Sequence, residues 1–65
     1  MTLKEVYDNR KLLANEANFV EVIAYEKCRN GCLRKVNLRS NKNRLCESME
    51  IINLNSAKRL KVILS

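Results

Sequence analysis

The Asn30-Gly31 step constrains the fold of this chain most, because Gly31 is the only glycine and proline is absent. It lies between two runs rich in β-branched, aromatic and other apolar residues, at 19–28 and 32–39. An Asn-Gly step between such runs is typical of the tip of a β-hairpin, since both residues tolerate the backbone conformations that a tight turn needs. The sequence therefore predicts an antiparallel hairpin over residues 19–39.

The loop of this hairpin can contain two or three residues, and the two lengths give different registers. A three-residue loop, with Gly31 in the left-handed conformation, places Glu26 opposite Arg34 and Glu21 opposite Arg39. It also gathers seven residues on one face, namely Val20, Val22, Ala24, Cys28, Cys32, Val36 and Leu38. Two cross-strand ion pairs and a coherent apolar face favour the three-residue loop over the two-residue one.

The net charge of the chain lies entirely in residues 27–44. This stretch carries seven bases and no acid, while the other 47 residues carry six bases and seven acids, within a total of +6. The seven bases are Lys27, Arg29, Arg34, Lys35, Arg39, Lys42 and Arg44. A cationic ribbon on an otherwise neutral body indicates contact with a negative partner, most often phosphate. We take these seven residues as the predicted nucleic-acid-binding set.

The two ends of the chain predict the remaining elements. Thr2 and Glu5 form the capping-box pattern, and apolar residues recur behind them at helical spacing, which predicts a helix over residues 3–17. Residues 49–54 and 59–64 predict a second hairpin, because Leu60, Val62 and Leu64 alternate with charged residues. A short helix is the alternative for residues 44–54. The predicted fold is one α+β domain over residues 1–65, with an N-terminal helix on a small antiparallel sheet of three or four strands and a projecting basic hairpin at 26–35.

The composition limits the class of protein. No apolar run reaches 18 residues and the N-terminus has no apolar signal core, so neither a membrane span nor a membrane partner is expected. Three cysteines, an odd number, make a poor disulfide framework, which fits a reducing cytoplasm. Nine asparagines with few glycines and prolines are typical of an AT-rich genome, such as that of a low-GC bacterium, its phages or its plasmids.

Catalysis and metal binding are not expected. The chain has no histidine, the commonest general base and metal ligand, and its carboxylates have no telling spacing. Cys28, Cys32 and Cys46 suggest zinc, but a structural zinc site wants a fourth sulfur or imidazole ligand. We interpret Cys28 and Cys32 as small apolar side chains of the inner face instead. No cofactor is predicted.

Two functions fit this sequence. The first is a small non-enzymatic regulatory or accessory protein that contacts nucleic-acid phosphates, DNA in particular, through the basic hairpin. The alternative is a protein-binding modulator, an inhibitor or recruiting subunit that redirects a larger enzyme such as a recombinase or polymerase. The base of the hairpin is apolar on both faces, and one helix covers only one of them. The second hairpin, a second copy of the chain or a foreign protein must cover the other.

Overall fold

A computed structural model describes the backbone of residues 1–65 and every side chain except those of Glu16 and Ala17. Two helices, α1 (Leu3–Asp8) and α2 (Arg10–Ala17), precede the strands β1 (Glu21–Lys27), β2 (Leu33–Val36), β3 (Cys46–Leu54) and β4 (Ala57–Leu64). A 3₁₀ turn, Arg39–Asn41, lies between β2 and β3. The four strands form one sheet in the order β2-β1-β4-β3. The predicted α+β class is therefore confirmed.

The sheet is mixed, which corrects the prediction of a wholly antiparallel sheet. The pairs β1–β2 and β3–β4 are antiparallel hairpins, but β1 and β4 run parallel from the Glu21–Arg59 pair to the Glu26–Leu64 pair. The chain leaves β2 at one edge, crosses to β3 at the other edge, and returns as β4 to the centre. The second hairpin thus extends the sheet sideways and does not cover its outer face.

The first hairpin has the three-residue loop that the sequence favours. Cys28 N donates to Cys32 O at 2.7 Å, Gly31 N donates to Cys28 O at 3.0 Å, and Gly31 has φ of 83°. Glu26 accordingly lies opposite Arg34. The contact of this charged tip with a partner stays a prediction.

The predicted pairing of Glu21 with Arg39 is wrong. The strand β2 ends at Val36, and Arg39 begins the 3₁₀ turn. Glu21 instead lies opposite Arg59 of β4 and forms an ion pair with it. Arg59, the third residue of β4, takes the place of the predicted partner because β1 has a neighbouring strand on each side.

The second hairpin is confirmed, with strands at Cys46–Leu54 and Ala57–Leu64. Its two-residue turn consists of Asn55 and Ser56, which both have positive φ, 52° and 64°. Two consecutive left-handed residues match the type I′ turn, whose twist suits a hairpin. Residues 46–54 are therefore strand, and the helical alternative for this region is excluded.

The N-terminal region contains two helices where one was predicted. The capping box is present, since Glu5 N donates to Thr2 Oγ1 and Thr2 N donates to Glu5 Oε1. The break falls at Asn9, whose φ of −98° and ψ of 11° leave the helical region. Asn9 Nδ2 donates to Glu5 O at 2.7 Å, so its side chain competes for a carbonyl of the preceding turn.

The core lies between the two helices and one face of the sheet. Its buried members are Leu3, Val6, Phe19, Val22, Ala24, Leu60, Val62 and Leu64. The inward alternation of β4 is as predicted. Val20, predicted to face inward, is 71% exposed, whereas Phe19, predicted on the opposite face, is buried. The alternation does not extend to them, because β1 begins only at Glu21.

Ion-paired cations cover part of the outer face of the sheet. Ile23 lies on this face opposite Lys61, and it is only 4% exposed. Lys61 pairs with Glu50 across the β3–β4 ladder, and Arg59 pairs with Glu21. Long basic side chains can lay their aliphatic stems on apolar surface while their charged ends reach an acid. The outer face therefore needs less external cover than the sequence predicted.

Candidate nucleic-acid interface

Three of the seven predicted phosphate-binding residues form ion pairs with carboxylates of the chain itself. Lys27 Nζ lies 2.9 Å from an oxygen of Glu47, and Arg34 pairs with Glu26 across the hairpin. Arg44 Nη1 lies 2.7 Å from the other oxygen of Glu26. The run of bases that is uncompensated along the sequence is thus partly neutralised in the fold by the two acids that flank it.

Arg44 has a structural role. Its guanidinium donates to Glu26 of β1, to Asn41 Oδ1 at 3.1 Å and to Ser65 O at 3.1 Å, so it connects three separate segments. Hydrogen bonds from Arg44 and then Arg34 lower the pKa of Glu26 below its ordinary value. The same carboxylate raises the pKa of Arg34. We therefore remove Arg44 from the set of residues available to a partner.

The other four predicted residues are exposed and lie on two different elements. Arg29 and Lys35 belong to the first hairpin, whereas Arg39 and Lys42 belong to the connection between β2 and β3. Among the described side chains, none of these four has a carboxylate within 4.0 Å. The sequence-predicted set thus divides, among the described side chains, into a group with carboxylate partners and a group without them.

The connection that carries Arg39 and Lys42 is fixed against the start of α1. Leu3 N donates to Arg44 O and Lys4 N donates to Lys42 O, both at 2.9 Å. These amides belong to the first turn of α1, and the N–H groups of a first turn have no hydrogen-bond acceptor within the helix itself. A groove of about 730 Å³ runs between α1 and the connection. Its lining residues are Leu3, Lys4, Tyr7, Asp8, Asn37, Leu38, Arg39 and Lys42.

This groove combines positive charge with an aromatic ring. Lys4, Arg39 and Lys42 contribute three cations and Asp8 one anion, and Tyr7 contributes a ring with the side chain 42% exposed. Lys4 and Tyr7 were not predicted from the sequence, because more than 30 residues separate them from Arg39 and Lys42. No local pattern predicts this proximity, since it results from the two backbone hydrogen bonds between α1 and the connection.

The asparagines of the basic stretch shape turns. Asn30 Oδ1 accepts from Cys32 N at 3.1 Å, and Asn37 Oδ1 accepts from Ser40 N at 3.2 Å. Asn41 Nδ2 donates to Asn37 O at 2.7 Å. These are the local side-chain-to-backbone bonds that asparagine commonly makes in turns. They orient the hairpin tip and the connection.

The three cysteines are free thiols in different surroundings. Cys32 is exposed, while Cys28 and Cys46 are half-buried, so the inner-face interpretation of Cys32 is wrong. Burial raises the pKa of the Cys46 thiol, which disfavours the thiolate that a metal needs. Among the described residues, no three cysteines or carboxylates lie close enough together to hold a metal ion.

Comparison with known proteins finds no matching family model, no matching curated protein and no matching solved structure. Within the described residues, neither helix has the length and apolar character needed to cross a bilayer.

Proposed function

We propose that this chain is a small non-enzymatic accessory protein of the cytoplasm that contacts nucleic-acid phosphates. Four unpaired cations provide the contacts, Arg29 and Lys35 on the hairpin and Arg39 and Lys42 on the connection. Phosphate neutralisation by such residues supplies most of the sequence-independent affinity of nucleic-acid-binding proteins. DNA is the proposed partner.

The observation that supports this proposal is the division of the basic stretch into paired and unpaired cations. Two acids close to the stretch, Glu26 and Glu47, are used to fix Lys27, Arg34 and Arg44. The unpaired cations are exposed at the surface instead of lying along a carboxylate. An exposed cation without an internal partner loses little on exchanging water for a phosphate oxygen.

The test is a titration of random duplex DNA at two salt concentrations with matched charge variants. We expect affinity to fall steeply with salt, with a slope of about −0.9 in log K against log salt for each phosphate contacted. The variants Arg29→Gln/Lys35→Gln and Arg39→Gln/Lys42→Gln each remove two charges. Each is expected to reduce that slope by about 1.8 units.

The matched control is Lys11→Gln/Lys58→Gln, which removes the same two charges from exposed positions outside both groups. We expect the control to weaken binding less than either test variant. Equal losses in all three variants would mean that overall charge, and not these four residues, drives binding. Absence of binding at low salt would contradict the proposal altogether.

A second candidate is binding to another protein through the edge strand β3. This strand has nine residues, and β4 is its one neighbour among the four described strands of the sheet. On the other side, Cys46 N donates to Met1 O at 2.9 Å, and the rest of the strand has no neighbouring strand. Met49 and Ile51 lie opposite the inward-facing Val62 and Leu60, yet they are 44% and 39% exposed. An open edge with apolar side chains can accept a strand from a partner, the simplest being a second copy of the chain.

A further inference from the structure

We infer that the groove between α1 and the connection binds one unpaired nucleotide of a single-stranded nucleic acid, with its base against Tyr7 and its phosphate among Lys4, Arg39 and Lys42. This inference rests on the proposed function and makes it more specific, because it distinguishes a single strand from a duplex. It also assigns roles to Lys4 and Tyr7, which lie outside the basic stretch.

Tyr7 lines the groove, and one side of its ring is already occupied. Arg10 covers one side, with its guanidinium carbon 4.0 Å from the ring centroid and Nη1 donating to Tyr7 O at 2.8 Å. Tyr7 lines the groove and Arg10 does not, so we assign the base to the side of the ring away from Arg10. The stacked guanidinium helps to hold the ring in place. A base that stacks on the groove side meets an aromatic surface that is already oriented.

The remaining lining residues suit the base and the phosphate of a nucleotide. Leu38, which is half-buried, gives the groove apolar surface, and the three cations supply positive charge. Among the described side chains, none of these cations has a carboxylate within 4.0 Å. The volume of about 730 Å³ lies within the usual range of about 300–1,000 Å³ for small-ligand sites.

A duplex cannot use this combination. Its bases are paired and stacked inside the helix, so they cannot reach Tyr7 or the apolar surface of Leu38. Stacking on aromatic side chains is instead typical of single-strand binding, where positive charge follows the backbone. The groove is partly open to solvent, so a nucleotide can enter it without a rearrangement of the fold.

The experiment is a fluorescence anisotropy titration of the whole protein with a labelled mixed-sequence oligonucleotide, as a single strand and annealed to its complement. Tyr7→Leu removes the ring while keeping apolar bulk. It should weaken single-strand binding by roughly fivefold to 100-fold, the usual effect of losing one base–aromatic stack. Tyr7→Leu should leave duplex binding unchanged. Tyr7→Trp, which keeps an aromatic ring, should bind the single strand as the wild type does.

Charge variants of the groove test the position of the phosphate. Lys4→Gln/Lys42→Gln should weaken single-strand binding more than the charge-matched control Lys11→Gln/Lys58→Gln. Asp8→Asn should strengthen it, since the Asp8 carboxylate is the one anion that lines the groove. Circular dichroism of each variant establishes that the fold is retained.

The outcomes separate this inference from the proposed function. Equal single-strand and duplex affinities, both independent of Tyr7, would overturn the groove assignment while leaving phosphate binding intact. Absence of binding to either nucleic acid would overturn both. A free mononucleotide that competes as well as the oligonucleotide at equal concentration would show a nucleotide site and contradict the single-strand assignment.

Discussion

Glu26 is the acid that pairs with two arginines of the basic stretch. Its carboxylate lies at the centre of a cluster with Arg34 on β2 and Arg44 on the connection, and its side chain is 18% exposed. One acid thereby links β1 to β2 and, through Arg44, to the segment that forms the groove. Hydrogen bonds from the two arginines hold the pKa of Glu26 below its ordinary value.

Glu26→Gln should destabilise the protein at neutral pH, because two arginines lose their acceptor charge. Because folding lowers the pKa of Glu26, the stabilisation that its carboxylate provides is fully present above the pKa of this group in the unfolded chain, about 4.3. That contribution is lost as pH falls through the lower, folded pKa. The wild type should therefore have a higher urea midpoint than the variant at pH 7, and the gap should narrow below about pH 4. A gap that is absent, or independent of pH, would contradict this role.

At the scale of elements, local signals predicted some features and long-range contacts decided the others. A few consecutive residues determine each of three features: the three-residue loop at Gly31, the capping box at Thr2 and the alternation of β4. The partner of Glu21 is different, because Arg39 and Arg59 are equally suitable by charge. The choice depends on which strand lies beside β1, and no short pattern encodes that. The break at Asn9 was missed because the apolar helical spacing continues through it.

Gly31→Ala should test the predicted loop. Gly31 has φ of 83°, and a Cβ atom built there meets nothing within 4 Å, so the cost comes from the backbone conformation alone. A left-handed alanine costs roughly 1–2 kcal/mol, which should appear in the free energy of unfolding. Gly31→Asn is the control, because asparagine tolerates this conformation better than alanine does. Equal stability of the alanine variant and the wild type would indicate a different loop.

The candidate site was only partly predictable for the same reason. Arg39 and Lys42 were found from the charge run, but Lys4 and Tyr7 join them only through the bonds between the first turn of α1 and the carbonyl groups of Lys42 and Arg44. The charge run also included Arg44, which the fold uses internally. Net charge along a sequence counts cations and does not identify which of them an acid neutralises.

At the scale of the whole molecule, the two faces and two edges of the sheet differ in how they are covered. The helices cover one face, and paired arginine and lysine side chains cover part of the other. The β3 edge retains apolar exposure at Met49 and Ile51. This edge is where association between copies of the chain should occur.

Sedimentation equilibrium should reveal that association. We expect the mass to rise with concentration from 7.6 kDa toward twice that value, and Ile51→Lys to keep the chain monomeric. Leu12→Lys is the matched control, because Leu12 is an apolar residue that is 68% exposed on α2 and does not belong to β3. A wild-type chain that stays monomeric at all concentrations would contradict docking between copies.

The parallel pairing of β1 with β4 also has a consequence for folding kinetics. Each hairpin can form early, since its strands are joined by a turn of two or three residues. The parallel pairing joins Glu21 to Arg59 and Glu26 to Leu64, which are 38 residues apart in the sequence. Closing so long a loop costs entropy before any contact is gained, which slows folding. Docking of two preformed hairpins should therefore limit the folding rate, and a chain lacking β4 would lose the centre of its sheet.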